Sequence, residues 1–161
     1  MPGARQPQTR KARPATRAEP ELTSPVDLCD ARGNLNPAAV GWSRHPLHNC
    51  NVSGHAPRKK RWNYWCLNTG KLLFSATIAD VDHFVLAFVY LFDFKTRRLV
   101  ERTAILPPGA MELPAHVRAD AVFDQDGCRV AFTEEKRGTR IAVTWPDFDG
   151  APLSAHLLVQ R

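Results

Sequence analysis

An alternation of apolar and polar residues, which begins at Arg61 and continues to the end of the chain, constrains the fold more than any other feature. It comes in short runs separated by turn residues, and a period of two is typical of strands with one buried face. In 71–79, the residues Leu72, Phe74 and Ile78 share one face. The pattern predicts strands at 61–67, 71–79, 84–94, 99–106, 117–123, 128–134, 139–145 and 153–160.

Short turns at 68–70, 95–98, 124–127 and 136–138 link several of these strands, and Asp126-Gly127 is the strongest hairpin signal. We therefore expect an all-β fold, an antiparallel meander of about eight strands. Closure into a lipocalin-like barrel is an economical way to hide the edge strands. An open sheet or a sandwich would give much the same sequence, whereas the lack of a long helical period argues against βαβ units.

The chain before Arg61 divides into two parts. Residues 1–20 are rich in Pro, Arg and Thr without apolar periodicity, and we expect them to form a disordered basic tail. Residues 21–60 combine four prolines and three glycines with scattered apolar residues, which predicts an irregular segment packed on the rest. Asn36 before Pro37 predicts one helical turn through Val40. With 161 residues, the chain has the size of one domain, assigned to 21–161.

The strand at 84–94 is apolar on both faces. Its even-numbered residues form a row that includes four phenylalanines and Tyr90, and its odd-numbered residues include Val85, Ala87 and Val89. Such a strand is typical of a sheet packed between two layers. One layer would be the barrel interior, and the other would be the segment 21–60 or a second domain.

Composition limits the environments in which the chain can work. The longest apolar run, Phe84 to Phe92, has nine residues, whereas a membrane helix needs roughly 20. The N-terminus has no apolar secretory signal. Four cysteines without a CxxC pair are expected to be free thiols, so we predict a cytoplasmic protein with no membrane span.

The net charge of +6 is concentrated in two places, the tail and the run Arg58-Lys59-Lys60-Arg61. This run continues into Trp62, Tyr64 and Trp65, and basic residues beside aromatic ones can bind nucleic acid. Alternation places Trp65 on the other face from Trp62 and Tyr64, which favours core packing. We predict no nucleic-acid partner; a third interpretation puts the basic run beside an anionic ligand group at a barrel mouth.

Two groups of side chains have chemistry that deserves a test. His45, His48, Cys50, His55 and Cys66 are of types that bind zinc, but their spacing matches no standard site. We predict no metal and no cofactor, with the imidazoles bonded to backbone.

The catalytic candidates are Asp80, Asp82 and His83, which form a turn before the most apolar strand and could transfer protons at a barrel rim. Asp93, among phenylalanines, would have a raised pKa if it were desolvated, unless it reaches water at the rim. Asp and His are also common turn residues.

Three segments carry a resemblance to a known family. They are PVDLCDARGNLNPAAVGWSRHPLHNCN (Pro25 to Asn51), RKKRWNYWC (Arg58 to Cys66) and ADVDHFVLAFVYLFDF (Ala79 to Phe94). From about Glu21 to the end, the chain resembles the bacterial domain-of-unknown-function family 2804. The resemblance implies that this chain is the N-terminal half of a protein about twice as long.

The same resemblance extends more distantly to lipocalin-like tandem barrels, a group that includes carotenoid hydratases and tocopherol cyclases. The Gly-x-Trp signature of lipocalins is absent, because Gly41 and Trp42 have no spacer. No catalytic residue is transferred, since the family has no established activity. A missing second half would leave strand 153–160 as an exposed edge, which predicts either docking of that half or self-association.

We predict a binding module that shelters an apolar or amphipathic small molecule. The candidate ligand-binding residues are Trp62, Tyr64, Phe84, Phe88, Tyr90 and Phe92, unless the same aromatic row simply fills the core. One alternative is a hydratase- or cyclase-type enzyme that acts on an apolar substrate. The other is a structural half-domain that docks a second barrel.

Overall fold

The computed structural model describes residues 18–52, 54 and 56–161, and these form an antiparallel all-β fold, as predicted. A short parallel pair, β1 (Val26–Asp27) and β2 (His48–Asn49), lies in the N-terminal segment. The long strands are β3 (Arg61–Asn68), β4 (Leu72–Asp80), β5 (Val85–Asp93), β6 (Arg98–Leu106), β7 (Ala121–Gln125), β8 (Cys128–Glu135), β9 (Gly138–Trp145) and β10 (Leu153–Gln160).

The eight long strands form two sheets of four. The first sheet has the order β3-β4-β5-β6, and the second sheet has the order β7-β8-β9-β10. In the part of the chain that the structure describes, no strand pairing joins the two sheets, so the predicted barrel closure is not found. The fold is the open sandwich that the sequence also allowed. The meander is interrupted after β6 because residues 107–120, with three prolines, run as a long connection instead of a hairpin.

This connection also explains the one displaced strand. The strand expected at 117–123 begins only at Ala121, because residues 113–117 cover one end of the core and do not join the sheet. The turns agree better with prediction. Asp126 and Gly127 both have positive φ, 50° and 81°, as the two-residue hairpin requires.

The core lies between the inner faces of the two sheets. Its largest fully buried side chains include Ile78 from the first sheet and Phe123, Phe132 and Ile141 from the second. Leu113 closes the end of the core at which β3 begins, and Phe148 is buried in the same cluster. Packing two alternating faces together removes these side chains from water, which is the main stabilising term of such a fold.

Strand β5 turns its smaller side chains to the core. Val85, Ala87 and Val89 are fully buried on the inner face, whereas Phe88 and Tyr90 lie half-buried on the other side. The aromatic row therefore neither fills the core nor lines the space between the sheets. We call this side of the first sheet the outer aromatic face; by strand register it consists of Trp62, Tyr64, Leu86, Phe88, Tyr90, Phe92, Leu99 and Ile105.

The N-terminal segment is irregular, as predicted for 21–60. The expected helical turn is a 3-10 turn at Pro37–Ala39, and the Asn36 side chain accepts a hydrogen bond from the Ala38 amide. The expectation of a disordered tail at 1–20 falls mostly on residues 1–17, outside the described residues. Pro20, inside that predicted tail, accepts a hydrogen bond from the amide of Trp42 over 3.0 Å.

Core truncation is expected to destabilise the sandwich far more than truncation of an outer side chain. Phe132→Ala removes a ring that is 1% exposed and leaves a cavity, so we expect a loss of about 3–5 kcal/mol in the free energy of unfolding. Val122→Ala, on the outer side of the second sheet, should cost less than about 1 kcal/mol. Urea unfolding followed by circular dichroism measures both, and equal losses would contradict the sandwich.

Candidate ligand pocket at one end of the sandwich

A pocket of about 330 Å³ lies beside the start of β3. Three stretches of chain enclose it: the N-terminal segment, the beginning of β3, and the connection between β6 and β7. The apolar lining residues are Leu28, Val52, Trp62, Leu113, Pro114, Ala115 and Val117, and the polar ones are Cys50, Lys60, Arg61, Asn63 and His116. We call this space the end pocket.

Arg61 holds the walls of the end pocket together. Its Nη1 donates to the carbonyl of Leu113 over 2.6 Å, and its Nη2 donates to the carbonyls of Cys50 and Val52, each over 3.1 Å. One guanidinium therefore ties the N-terminal segment and the β6–β7 connection to strand β3. Its planar set of five N–H donors suits this task, because several carbonyls can be reached at fixed angles.

Two buried polar atoms at the pocket have no hydrogen-bond partner among the described residues. They are the Nε of Arg61 and the Oδ1 of Asn63. Asn63 is only 7% exposed and stands opposite Ile78 on the inner face of the first sheet. Buried polar atoms are nearly always paired in native proteins, but both of these atoms are shielded from the pocket space, so a polar partner would reach them only after a local shift.

The charge of the pocket is positive on the side of β3. Lys60, Arg61 and His116 line it, and no acidic side chain is among its described lining residues. The neighbouring Lys59 differs, because its Nζ lies 3.4 Å from Asp82 and 3.8 Å from Asp80. Lys60 and Arg61 therefore lie at one end of the sandwich, and an anionic ligand group beside them, as in the third interpretation, stays a prediction.

The proposed acid–base residues Asp80, Asp82 and His83 lie in the β4–β5 turn, outside the lining of the end pocket. Asp82 accepts from the Lys59 amide over 2.7 Å, and Asp80 accepts from the Asp82 amide over 3.0 Å. The His83 side chain is exposed. These carboxylates therefore fix a turn in which Asp82 has φ = 66°, and proton transfer by them stays a prediction.

Asp93 is not a desolvated carboxylate. It accepts from the amides of Lys95 and Thr96 over 2.8 and 2.9 Å at the β5–β6 turn. The hydrogen bond from the Thr96 amide lowers the pKa of Asp93, with a smaller contribution from Lys95. Of the two alternatives that the sequence left open for Asp93, the structure supports the second, in which the side chain has reached the rim of the sheet and the turn supplies donors.

The aromatic ligand candidates lie away from the end pocket, with one exception. Tyr64, Phe88, Tyr90 and Phe92 belong to the outer aromatic face, and only Trp62 also contributes to the lining of the pocket. Phe84, just before β5, is half-buried, and its carbonyl accepts from the Val81 amide. The role of these aromatic residues in binding stays a prediction, but they do not lie in an interior cavity.

A polar cluster interrupts the outer aromatic face. The hydroxyls of Tyr64 and Tyr90 lie 3.1 Å apart, and the Cys66 sulfur lies 3.7 Å from the Tyr90 hydroxyl. The hydrogen bond with Tyr64, followed by burial, raises the pKa of Tyr90. Tyr90 therefore stays protonated at neutral pH and can donate a hydrogen bond.

The histidines and cysteines do not assemble into a metal site among the described side chains, and His55 lies outside them. His48 forms a 2.8 Å hydrogen bond between its Nε2 and the carbonyl of Ala39, as expected for an imidazole bonded to backbone. All four cysteines are free. Burial, and then the nearby Asp126, raises the pKa of Cys128.

Sequence reasoning named Arg61 and Trp62 but missed Asn63, Leu113 and Val117. Asn63 could have been found from the sequence, because it is a polar residue at an inward-facing position of an alternating strand. The next inward-facing residue of that strand is Trp65, which packs against the core. Leu113 and Val117 left none, because a loop residue becomes part of a pocket only through a tertiary contact.

The class of protein is therefore an antiparallel β-sandwich with a pocket at one end, and the lining of that pocket is mostly apolar with a few polar groups. The family model of a domain of unknown function, DUF2804, matches residues 19–161, and the chain belongs to that family. Searches of curated proteins and of solved structures found no match. Within residues 18–52, 54 and 56–161, no helix has the length and apolar character needed to cross a bilayer.

Removing the guanidinium is expected to loosen the walls of the pocket. Arg61→Met leaves three carbonyls without their donor, and hydrogen bonds from a charged group contribute about 1.5–3 kcal/mol each when buried. Because Arg61 is only half-buried, we expect a total loss of about 2–4 kcal/mol. Lys60→Met, at an exposed neighbouring position, should change the free energy of unfolding by less than about 0.5 kcal/mol. Urea melts that show the same stability for both variants would contradict the clamp.

Proposed function

We propose that this chain is a lipocalin-like binding module that holds an apolar or amphipathic small molecule in the end pocket. The observation that carries the proposal is the lining of the end pocket, in which mostly apolar walls surround a few polar groups, among them Lys60, Arg61 and Asn63. Small-molecule sites combine apolar walls with a few placed polar groups in this way. In this proposal the ligand binds in the end pocket and not against the aromatic row of β5.

The size of the pocket limits the ligand. About 330 Å³ is at the lower end of the range for ligand pockets. A water molecule occupies about 30 Å³ in the liquid, so the pocket has room for roughly ten non-hydrogen atoms. A short chain or a single substituted ring fits this space, whereas a carotenoid or a tocopherol would extend far outside it.

Binding has more support than catalysis. The acid–base candidates Asp80 and Asp82 are engaged by Lys59 and lie outside the lining of the pocket. A hydratase or cyclase would need a proton donor directed at the bound molecule.

The free thiols favour a reducing compartment, which supports a cytoplasmic location for the protein.

The proposed function predicts that a neutral apolar probe of the right size binds in the end pocket. Titration of the full chain with octan-1-ol should shift the backbone NMR signals of Leu28, Val52, Asn63 and Leu113 in a saturable manner. Val117→Trp should abolish these shifts by filling the pocket, since Val117 lines it. Val122→Trp, outside the pocket, is the matched control. Shifts confined to Phe88, Tyr90 and Phe92 would move the site to the outer aromatic face and refute the assignment.

The second candidate function is an interaction through the outer aromatic face. Trp62 is 63% exposed, and Leu99 and Ile105 are 53% and 54% exposed on the same side of the sheet. Exposed apolar side chains of this kind, here on both sides of the polar cluster of Tyr64, Tyr90 and Cys66, typically mark a contact with another protein surface. We propose that a second copy of this chain covers this surface. Docking of a second barrel from another polypeptide segment is the alternative that the test would leave.

Self-association through this face is expected to depend on the apolar residues of β6. In sedimentation velocity, the full chain should form a dimer that the double substitution Leu99→Glu and Ile105→Glu dissociates, because a charge buried in an interface without a partner is costly. Val122→Glu places the same charge on the second sheet and should leave the dimer intact. A monomer at all concentrations would exclude a second copy as the occupant.

A further inference from the structure

We propose that the end pocket selects a carboxylate attached to an apolar chain or ring of about ten non-hydrogen atoms in total. This inference rests on the proposed function and specifies its ligand. The observation behind it is the guanidinium of Arg61, a half-buried cation that lines the pocket with no carboxylate within ion-pairing distance among the described residues.

The partners of Arg61 are neutral. Three carbonyls accept from its Nη atoms, and they satisfy donors without cancelling the positive charge. Five other arginines form ion pairs with carboxylates, namely Arg44, Arg98, Arg129, Arg140 and Arg161. A cation removed from water without a counter-charge is unfavourable, and an anion bound beside it would offset that cost.

The remaining donor of Arg61 is one that such an anion would reach after a small shift of the side chain. Its Nε–H is buried and has no acceptor among the described residues. A carboxylate oxygen is the strongest acceptor that a small organic ligand offers to a guanidinium, because the hydrogen bond is assisted by both charges. Asn63 lines the same pocket, but its unmet atom is the acceptor Oδ1, which a carboxylate cannot satisfy, so the contact with the anion rests on Arg61.

A second positive charge favours an anion as well, since Lys60 lines the end pocket with Arg61. Glu112 and Asp120 on the connection line an adjacent groove that shares Arg61 with the end pocket, but neither of them forms an ion pair with Arg61. The apolar part of the ligand would contact Leu28, Val52 and Val117.

Three probes of nearly equal shape test the inference: octanoate, octan-1-ol and octylamine. At neutral pH, isothermal titration of the full chain should show octanoate binding at least about 10-fold more tightly than octan-1-ol, and octylamine more weakly than either. Added salt should weaken octanoate and leave octan-1-ol unchanged. Equal affinities for octanoate and octan-1-ol would overturn the choice of a carboxylate but leave the proposed function standing. If none of the three binds, both fail.

Variants assign the preference to this pocket. Lys60→Gln removes an exposed charge without touching the Arg61 clamp and should weaken octanoate about 2- to 5-fold while octan-1-ol is unaffected. Lys95→Gln, in the β5–β6 turn far along the strand, is the matched control and should change neither. Arg61→Lys keeps the charge but loses the Nε–H, so octanoate should weaken further than in Lys60→Gln; circular dichroism verifies that it folds. Tight octanoate binding that neither substitution weakens would place the anion elsewhere and overturn the inference.

Discussion

The packing of two alternating faces against each other is the constraint on which the rest of this structure depends. Each sheet contributes only every second residue to the core, so Ile78 and Val89 are buried against Phe123 and Phe132 while their neighbours along the strands face away. A slip of one residue in any strand would exchange the two faces. The buried set therefore fixes the register, and the register in turn determines what the outer faces and the ends of the sandwich present.

The ends of a sandwich need a different solution, because hairpins alone leave the core open there. At the end where β3 begins, Leu113 closes the core and the Arg61 guanidinium binds the carbonyls of the segments that pass over it. Lys59 does the same for the β4–β5 turn through Asp80 and Asp82. The pocket results from this arrangement, since chain held by polar contacts fills the opening less completely than packed strands do.

Neighbouring residues of the basic run thus have different roles. Lys59 forms ion pairs with carboxylates and so stabilises the β4–β5 turn. Lys60 and Arg61 line the end pocket, whose described lining residues include no acidic side chain. On the other side of the same sheet, the aromatic row of β5 is half-buried by its own neighbours, as the 5.7 Å separation of the Phe88 and Tyr90 rings shows. Of the outer aromatic face, only Trp62 also lines the end pocket, so the proposals for the two surfaces can be tested separately.

The sequence by itself determined the local structure of this protein. Period-two alternation and turn residues such as Asp126-Gly127 specified eight antiparallel strands, because both signals act between residues close in the chain. Membership of the family could also be recognised from the sequence alone. Only the tertiary structure decided that the meander breaks into two sheets, that β5 turns Val85 and Val89 inward, and that Leu113 meets Arg61. Each of those outcomes depends on contacts between residues far apart in sequence, and both faces of β5 are apolar enough that only the packing of the second sheet selects one of them.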